Sequence, residues 1–269
     1  MIRVGVIGCA GRMGRLVCRA VADDPDLVLV AAISPSLAGE PLGKFIGRGE
    51  VDVRISDELD TLLQAETEVA VDFTTPTAVM ETVRWAIDHA VHLVVGTTGI
   101  GQAELLEIEE LLDGEGNESN VIVAPNFAIG AVLMQRFAAV AAKFFPAAEI
   151  IELHHEGKLD APSGTAMATA RAMAAARLEA WQGPEGETIP GVRGGESEGI
   201  RIHSVRLPGL VAHQEVVLGG RGQTLTIRHD SMQRESFMPG VLLAIKAAPG
   251  KSGLTVGLEP LMDLPEVPL

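Results

Sequence analysis

The stretch from Glu152 to Thr165, Glu-Leu-His-His-Glu-Gly-Lys-Leu-Asp-Ala-Pro-Ser-Gly-Thr, holds the densest group of side chains able to do chemistry. Adjacent His154 and His155 can supply a proton near neutral pH, and Lys158 adds a fixed positive charge. Residues 162–165 open an alanine-rich run that predicts a helix, whose first backbone N–H groups suit a carboxylate. The stretch therefore predicts a site for a small acid. The alternative is a strand that leads through a capped turn into a helix.

A second group of residues suits a nucleotide. Gly8-Cys9-Ala10-Gly11-Arg12-Met13-Gly14 directly follows a strand-like run and opens a predicted helix, with the spacing Gly-x-x-Gly-x-x-Gly. Glycines allow a tight turn and a close approach of the backbone, and the helix start then holds a pyrophosphate. A plain tight turn is the alternative. We predict that a dinucleotide is bound by Gly8, Gly11, Arg12, Met13 and Gly14.

The residue after the second predicted strand bears on which dinucleotide binds. Chains that bind NAD usually carry Asp or Glu there for the ribose 2′-hydroxyl, whereas this chain has Ser34. A carboxylate would repel the 2′-phosphate of NADP, and Arg12 is available to pair with that phosphate. We therefore expect NADPH, NADH or both as cofactor, with a preference for NADPH, although Pro35 stands where a second basic residue could have strengthened the phosphate site.

The first half of the chain alternates strand-like and helix-like runs. Strands are predicted near 2–7, 27–33, 68–73, 92–95 and 121–124, and helices near 12–23, 76–90 and 101–113. This alternation is typical of a doubly wound, Rossmann-like parallel sheet of the α/β class, whose ligands lie at the carboxyl ends of the strands. Residues 34–56 are predicted to form a long loop.

The pattern changes after residue 126. Helices are predicted near 128–145, 164–178 and 236–247, with strands near 148–154, 201–206, 213–219 and 223–229. The last three strands are spaced as neighbours in a largely antiparallel sheet, and 182–199, with six glycines, predicts a mobile excursion. We expect a dinucleotide-binding domain of 1–126, completed by 236–269. A second, α+β domain of 127–235 is expected to bind substrate and to mediate oligomerisation.

Composition narrows the classes of function. The 269 residues carry 21 basic and 36 acidic side chains, a formal net charge of −15, which argues against a nucleic-acid partner because phosphate binding needs clustered Lys and Arg. No apolar run approaches the roughly 20 residues that cross a bilayer, so no membrane partner is expected. We expect no export signal, and Cys9 and Cys18 fit a reducing compartment, which together predict a cytoplasmic protein.

Other chemistries find less support. The seven histidines have no Cys or carboxylate partner at a recurrent metal-ligand spacing, apart from the adjacent pair, so no metal is expected. Ser163 lacks the Gly-x-Ser-x-Gly elbow of a hydrolase, and no P-loop lysine follows the first glycines. Two alternatives stay open: another nicotinamide reductase that acts on a different carbonyl or imine, and a dinucleotide-sensing module whose second domain binds a partner.

Several motifs point to one family. They are the glycine stretch with Arg15, Asp72-Phe73-Thr74, Gly96-Thr97-Thr98-Gly99, Ala124-Pro125-Asn126-Phe127, the stretch 152–165, His203 to Gly209, and Arg228-His229-Asp230-Ser231. Over nearly its whole length the chain resembles the 4-hydroxy-tetrahydrodipicolinate reductase family. The string His-His-x-x-Lys-x-Asp-Ala-Pro-Ser-Gly-Thr is highly specific to that family.

The resemblance implies hydride transfer from a nicotinamide to a cyclic, unsaturated dicarboxylate in the diaminopimelate route to lysine, by a protein that is typically a homotetramer. Hydride reduction of a conjugated imine leaves negative charge at the far end of the conjugated system, so a proton donor is needed close by. The family's donor corresponds to His154, and its catalytic lysine to Lys158. Positions that bind a substrate carboxylate correspond to His155, Lys158, Gly164 and Thr165.

The resemblance also assigns cofactor contacts beyond the glycine stretch: Phe73, Thr74, Gly96, Thr97, Thr98, Ala124, Asn126 and Phe127. Plainer alternatives are a turn and helix cap at 96–99, a hinge at 126–127, and core packing with an N-cap at 73–74. His154 could likewise be a strand-end histidine satisfied by backbone, and Lys158 a solvated lysine. Asp160 is predicted to shape the turn by accepting backbone hydrogen bonds, and Arg234 to lie outside the site.

Overall fold

The computed structural model describes residues 1–114, 117–177, 183 and 186–264. Two compact units divide it, Met1–Phe127 with Phe237–Asp263 and Ala128–Ser236 with Leu264. The predicted limits at 126 and 236 lie one residue from these boundaries, whereas residue 264 was expected in the first domain. Residues 265–269, also expected there, lie outside the described residues. The functions assigned to the two domains stay predictions.

The elements alternate along the chain. Among the described residues, the strands are β1 (Ile2–Ile7), β2 (Leu27–Ile33), β3 (Ile55–Ser56), β4 (Val69–Asp72), β5 (His92–Val95), β6 (Asn120–Val123), β7 (Ala147–His154), β8 (Gly195–Ser197), β9 (Ile200–Arg206), β10 (Ala212–Gly220), β11 (Gln223–Ser231) and β12 (Gly253–Val256). The α-helices are α1 (Arg12–Asp23), α2 (Leu42–Ile46), α3 (Thr61–Gln64), α4 (Val79–Asp88), α5 (Gln102–Leu112), α6 (Ile129–Ala142), α7 (Gly164–Ala176) and α8 (Met238–Ala247).

The first unit is built on a parallel sheet of seven strands in the order β12-β6-β5-β4-β1-β2-β3. From β1 the chain adds β2 and β3 on one side, then β4, β5, β6 and β12 on the other. The strand order therefore reverses between β1 and β4. In open α/β sheets, ligands bind outside the carboxyl ends of the strands at such a reversal.

Both faces of this sheet are buried, which explains its continuous apolar strands. Leu93 and Val95 pack with Val83 of α4 and Ile108 of α5, and Val94 between them is also fully buried. On the opposite face, α1 and α8 contact each other and the strands. Because neither face meets water, such strands lack the alternation of apolar and polar residues that marks a half-exposed sheet. The Rossmann-like parallel sheet of the prediction is confirmed.

The structure corrects two predictions for the first unit. Residues 34–56 are not a plain loop, because they contain α2 and the edge strand β3, with Leu42, Ile46 and Ile55 buried. The predicted elements also omitted β12, which adds a parallel strand beside β6. These elements have two to five residues, too few to show a periodicity of their own, and are stabilised by pairing and packing against the rest of the sheet.

The second unit holds a five-stranded mixed sheet in the order β11-β10-β7-β9-β8. The pairs β10–β11, β10–β7 and β8–β9 are antiparallel, and β7–β9 is parallel. This confirms a mixed, largely antiparallel sheet. The prediction that 201–206 and 213–219 are neighbours was wrong, since β7 lies between β9 and β10. A parallel pair needs a crossover, and the segment that contains α7 supplies it between β7 and β9.

The face of β7 that carries the predicted chemistry is the one that packs on helices. Ala148 and Ile150 lie in a core with Ala138 of α6 and Ala170 of α7. Side chains alternate along a strand, so Glu152 and His154 project to the same face, next to the start of α7. The alanines let helix and sheet approach closely, which places a buried carboxylate under the first turn of α7.

The predicted excursion at 182–199 is partly ordered. Residues 195–197 form β8, which pairs with β9, so the prediction was wrong for this part. Strand pairing with β9, not local sequence, orders this glycine-rich segment. Residues 182, 184 and 185 lie outside the described residues, as does 178 at the end of the predicted helix. None of the described helices is both long and apolar enough to cross a membrane.

Candidate active site

The predicted cofactor residues follow five strands that are neighbours in the first sheet, β6-β5-β4-β1-β2. They are Gly8 to Gly14 after β1, Ser34 after β2, Phe73 and Thr74 after β4, Gly96 to Thr98 after β5, and Ala124, Asn126 and Phe127 after β6. Because the strands are parallel, all these residues meet at the carboxyl edge of the sheet. The structure thus brings together the residues that the sequence selects for a dinucleotide.

The glycine turn has the geometry of a phosphate loop. Gly8 has a φ of +80°, and a Cβ there would lie 2.6 Å from the carbonyl oxygen of Phe73. A Cβ on Gly14 would collide with the carbonyl oxygen of Gly8. Gly11 precedes α1 and provides no side-chain cap, so no side chain there competes with a ligand for the N–H groups of the first turn. These N–H groups suit the pyrophosphate of a dinucleotide.

A hydroxyl and an exposed cation flank this turn. The N–H groups of Gly8 and Cys9 donate to the carbonyl oxygen of Ile33 (2.9 and 3.2 Å), which places Ser34 beside the glycine turn. The buried Ser34 hydroxyl lies 3.0 Å from that of Ser36. Arg12 begins α1, is exposed, and makes no ion pair within the described part of the chain. No carboxylate therefore stands at the position that would repel a 2′-phosphate.

Asp72, at the end of β4, organises the next two loops. Its fully buried Oδ1 accepts hydrogen bonds from the Thr74 N–H (2.9 Å), the Thr74 hydroxyl (2.8 Å) and the Thr97 hydroxyl (2.7 Å). Its Oδ2 is buried and has no partner among the described residues. This single carboxylate links the loop after β4 to the loop after β5, and so sets the spacing between the predicted contacts at 73–74 and 96–98.

Two aromatic rings lie at the same edge. The Phe73 and Phe127 ring centroids are 5.7 Å apart with a tilt of 49°. A Cβ on Gly96 would collide with the Phe73 ring, so only glycine permits this packing. Thr97, Ala124 and Phe127 are buried and Thr98 is exposed, while Asn126 is half-buried. The edge thus combines an apolar wall with hydroxyl groups, which suits a planar heteroaromatic ring.

In the second unit, β7 ends with Glu152 and His154 in direct contact. Glu152 is fully buried, and its Oε2 lies 2.5 Å from Nδ1 of His154. Burial by itself would raise the pKa of Glu152, but hydrogen bonds from His154, Arg206 and Ser204 outweigh it and lower the pKa to about 2. An ionised carboxylate only accepts hydrogen bonds, so Nδ1 of His154 carries a hydrogen and donates it. The ring's other nitrogen, Nε2, is left to exchange a proton.

Arg206 completes this group from β9. Its Nη1 and Nη2 donate to the two oxygens of Glu152 (2.9 and 2.8 Å), the fork geometry that suits a carboxylate. The same guanidinium also donates to the carbonyl oxygens of Lys158 (3.3 Å) and Asp160 (2.6 Å). A buried anion, the predicted proton donor and the turn after β7 are therefore joined by one side chain.

The lysine of the motif lies in this turn, next to an acid. Nζ of Lys158 donates to both oxygens of Asp160 (2.7 and 2.8 Å), and this contact lowers the pKa of Asp160. Asp160 was predicted to accept backbone hydrogen bonds, and its own N–H does contribute one, but the Lys158 ammonium is its principal partner. The pair is exposed on the acid's side, so water and other anions reach it.

The start of α7 meets the same group. Ser163 caps α7 by accepting a hydrogen bond from the Ala166 N–H (3.2 Å), and its own N–H donates to Oε1 of Glu152 (3.2 Å). The next two residues, Gly164 and Thr165, form the first turn of the helix. His155 is half-buried at the end of β7. The predicted substrate-binding residues thus lie in one short segment, from the end of β7 to the first turn of α7.

Comparisons with known proteins fit this geometry. The family model described as "Dihydrodipicolinate reductase, N-terminus" matches residues 2–127, and that described as "Dihydrodipicolinate reductase, C-terminus" matches residues 130–262. The chain belongs to the dihydrodipicolinate reductase family. It is therefore an oxidoreductase, and the resemblance identified in the sequence is confirmed.

Relatives of this reductase match nearly the whole chain. A protein named 4-hydroxy-tetrahydrodipicolinate reductase from Desulfitobacterium hafniense (strain DSM 10664 / DCB-2) is 46% identical over 266 residues, 97% of this chain and 99% of the relative. A protein of the same name from Nocardia farcinica is 48% identical over 267 residues, 98% and 99% of the two chains.

Solved structures share the fold of this chain. The dipicolinate-bound dihydrodipicolinate reductase from Paenisporosarcina sp. TG-14 matches with a TM-score of 0.84 at 42% identity, covering 97% of this chain and 100% of that one. An amine dehydrogenase from Mycobacterium smegmatis matches with a TM-score of 0.69 at 17% identity over 99% and 98% of the chains, which shows a shared fold. The Rossmann-type architecture of this reductase family implies a nicotinamide cofactor.

Three buried or half-buried residues of this reductase received no role from the sequence alone: Asp72, Glu152 and Arg206. Glu152 had a readable signal, because it precedes His154 by two residues on a strand and so shares its face. Arg206 had no such signal in the sequence. It lies opposite His154 because β9 pairs with β7, and local spacing does not reveal that pairing. Among the described residues, no group of three His, Cys, Asp or Glu side chains is placed to hold a metal ion.

Proposed function

We propose that this chain reduces 4-hydroxy-tetrahydrodipicolinate to tetrahydrodipicolinate with NADPH or NADH, in the diaminopimelate route to lysine. The observation that carries the proposal is the turn after β7, which groups an imidazole with one fixed tautomer, an ammonium group and a helix start. A proton donor with two anchors for anions is what a planar dicarboxylate imine requires. The dipicolinate bound to the Paenisporosarcina reductase is a dicarboxylate of this kind.

We assign the cofactor to the carboxyl edge of the first sheet. The glycine turn and the start of α1 would hold the pyrophosphate, and the loops joined by Asp72 would hold the nicotinamide against Phe73, Thr97 and Phe127. The absence of a side-chain cap at Gly11, the positive φ of Gly8 and the Oδ2 of Asp72, unpartnered among the described residues, all fit such a ligand. When bound in its reduced form, the nicotinamide supplies the hydride.

The proton comes from His154 in this proposal. The 4-hydroxyl of the substrate leaves as water, which gives the conjugated imine. Addition of hydride to this imine leaves an electron pair at the far end of the system, and Nε2 of the protonated imidazole provides the proton that bonds to it. Glu152 keeps the other nitrogen protonated, so that His154 gives up its proton from Nε2 alone. After transfer the ring is neutral and regains a proton from water, because 13% of the His154 side chain stays exposed.

The carboxylates of the substrate are assigned to Lys158, His155 and the first N–H groups of α7, at Gly164 and Thr165. Lys158 already holds a carboxylate, that of Asp160, at 2.7 Å. A substrate carboxylate replaces it with an equivalent charge. The helix start adds N–H donors on the same side of the turn, because Ser163 is the N-cap.

Cofactor preference, cellular location and oligomeric state complete the proposal. NADPH is preferred over NADH, because Ser34 replaces an acid and Arg12 is exposed. A cytoplasmic location accords with two free, buried cysteines. A homotetramer would form through the second unit, where α6 and α7 pack on one face of the sheet and Glu149, Ile151, His203 and Val217 line a cavity of about 530 Å³ on the strands.

Spectrophotometry tests the proposal. The substrate is generated enzymatically, and loss of absorbance is followed with NADPH and with NADH, in the presence and absence of pyridine-2,6-dicarboxylate. We expect oxidation of both cofactors only when substrate is present, a higher kcat/KM with NADPH, and competition by the dicarboxylate against substrate. Absence of substrate-dependent oxidation with either cofactor would refute the function, and a much higher kcat/KM with NADH would refute the preference alone.

A further inference from the structure

Glu152 is a buried charged side chain of the second unit. It is fully buried, and a buried carboxylate is tolerated only when its lone pairs are matched by donors. Its oxygens accept from His154 Nδ1 (2.5 Å), Arg206 Nη1 (2.9 Å), Arg206 Nη2 (2.8 Å) and Ser163 N (3.2 Å), and from the Ser204 hydroxyl. These donors come from β7, β9 and the start of α7. The carboxylate is therefore held from three elements at once.

Arg206 divides its donors between this anion and the neighbouring turn. Two nitrogens face Glu152, while Nε and Nη2 donate to the carbonyl oxygens of Lys158 (3.3 Å) and Asp160 (2.6 Å), and Nη1 to that of Val205 (2.8 Å). A planar fork with five N–H groups can span these acceptors, whereas a lysine ammonium cannot. The peptide that carries the Lys158 side chain is thus anchored to the same group that anchors the imidazole of His154.

We propose that Glu152 and Arg206 are the positioning pair of this enzyme. Glu152 fixes the tautomer and the direction of His154, and Arg206 holds Glu152 and the Lys158 turn in one register, so the proton donor and the carboxylate grip keep a set separation. Neither residue touches substrate in this assignment. The inference rests on the proposed function, because it presumes that His154 donates the proton and that Lys158 binds a carboxylate.

The surroundings of the pair contain few other charges. On β10, Gln214 stands opposite Glu152 and Ala212 opposite His154, and α7 contributes Ser163. The turn after β7 adds four titratable side chains beside the pair, His155, Glu156, Lys158 and Asp160. The pH profile of Asp160→Asn, a variant in the turn, separates an effect of Glu152 on the titration of His154 from effects of the turn acids.

Three variants test the pair, and a fourth is the control. Glu152→Gln removes the anion but keeps its shape, Arg206→Lys keeps the charge but removes the fork, and Arg206→Met removes both. Arg201→Lys is the matched control, since Arg201 lies on the same strand and makes a long contact to Glu196 (3.6 Å). Each is measured for kcat, KM for substrate, the pH dependence of kcat, and the Kd of NADPH by fluorescence.

The expected pattern is specific to positioning. Glu152→Gln lowers kcat about 100-fold and moves the alkaline limb of its pH profile to lower pH, because the cationic imidazole loses its anion. Arg206→Lys raises KM for substrate about 10-fold and lowers kcat, since the Lys158 turn is released. Neither changes the Kd of NADPH, and Arg201→Lys changes nothing. A kcat and pH profile in Glu152→Gln equal to those of the unchanged enzyme would overturn the inference.

A spectroscopic measurement keeps the inference testable if a variant does not fold. Nitrogen-15 shifts of histidine-labelled enzyme distinguish a ring protonated at Nδ1 from one protonated at Nε2. We expect the His154 signals, assigned by their loss in His154→Gln, to show the Nδ1–H tautomer above neutral pH. The Nε2–H tautomer would overturn the inference even in an active enzyme. An enzyme without reductase activity that shows the Nδ1–H tautomer would instead contradict the proposed function.

Discussion

Individual residues of the candidate site take their roles from their partners. His154 and Lys158 each contact one carboxylate, but the two carboxylates differ in burial. Glu152 is fully buried and has no access to water, whereas the Asp160 side chain is 59% exposed. The first contact is therefore permanent, and the second can be exchanged for a carboxylate from solution. This difference separates a fixed contact at His154 from an exchangeable one at Lys158.

His154→Gln tests the proton donor. Glutamine retains a hydrogen-bonding side chain near Glu152 but cannot deliver a proton near neutral pH. We expect kcat to fall by roughly 10²–10⁴ with a smaller change in KM, because general acid catalysis contributes about that much. Steady-state kinetics measure both values. His89→Gln, on an exposed histidine outside the site, is the control and should keep full activity; equal activities of the two variants would transfer the donor role elsewhere.

Asp160→Asn tests competition for Lys158. The asparagine cannot pair with the ammonium as an anion, so a substrate carboxylate no longer has to displace one. An exposed pair of this kind contributes about 1 kcal/mol or less, so KM for substrate should fall by at most about fivefold. Glu156→Gln removes one charge from the same turn and controls for the general field. A rise in KM would show that Asp160 supports binding, and an equal fall in both variants would assign the effect to the general field of the turn.

Among the secondary-structure elements, both candidate sites lie where the chain leaves a strand. One is the carboxyl edge of the first sheet, and the other is the turn after β7. In the proposed function, the carboxyl edge of the first sheet binds the pyrophosphate through backbone N–H groups and a helix start, which parallel strands and glycines provide. In the same proposal, the turn after β7 depends on side chains of β7 and β9 and on a backbone N–H at the start of α7, because a dicarboxylate and a proton require fixed charges. Glycine positions thus matter most in the first unit, and buried ion pairs in the second.

Gly14→Ala tests the close packing of the glycine turn. The new Cβ would collide with the carbonyl oxygen of Gly8, which cannot move without displacing the turn. Overpacking of this kind costs about 1–3 kcal/mol, and we expect the Kd of NADPH to rise at least 10-fold. Fluorescence titration measures binding, and circular dichroism checks folding. Gly49→Ala is the control, because a Cβ there meets no atom within 4 Å, and it should change neither NADPH binding nor folding. Normal NADPH binding by Gly14→Ala would contradict the assignment.

At the scale of the whole molecule, the chain forms two units with separate sheets. Glu152, in the second unit, contributes to the pH dependence of the protein's stability. Folding lowers the pKa of Glu152 from its ordinary value of 4.5 to about 2. A carboxyl whose pKa is lower in the folded state stabilises the fold above its unfolded pKa. That stabilisation is lost as the pH falls from 4.5 towards about 2. The shift corresponds to roughly 3 kcal/mol.

Urea unfolding at several pH values tests this contribution. The free energy of unfolding should decrease between about pH 5 and about pH 2.5 by a smaller amount in Glu152→Gln than in the unchanged protein, because glutamine does not titrate. Glu110→Gln, on the exposed side of α5, should keep the original pH dependence. Identical pH dependence of all three proteins would show that Glu152 is not held as an anion in the fold.

Elements with a strong local pattern, and residues with distinctive chemistry, were predictable from the amino-acid sequence. The parallel strands β1, β2, β4, β5 and β6 are recognisable as buried apolar runs, and the glycine turn follows the first of them directly. His154 and Lys158 belong to a sequence string that is highly specific to the reductase family. Local spacing is enough in these cases because the property that matters, burial or side-chain type, belongs to neighbouring residues.

The remaining features depend on the tertiary structure. β3, β8 and β12 exist because a neighbouring strand offers hydrogen bonds, and β7 lies between β9 and β10 because α7 carries the chain across. Arg206 stands 54 residues from Glu152 in the chain, and its fork meets that carboxylate only through the parallel register of β7 and β9. Hydrogen bonds to a buried charge depend on which strands are neighbours, and strand order is a property of the whole fold.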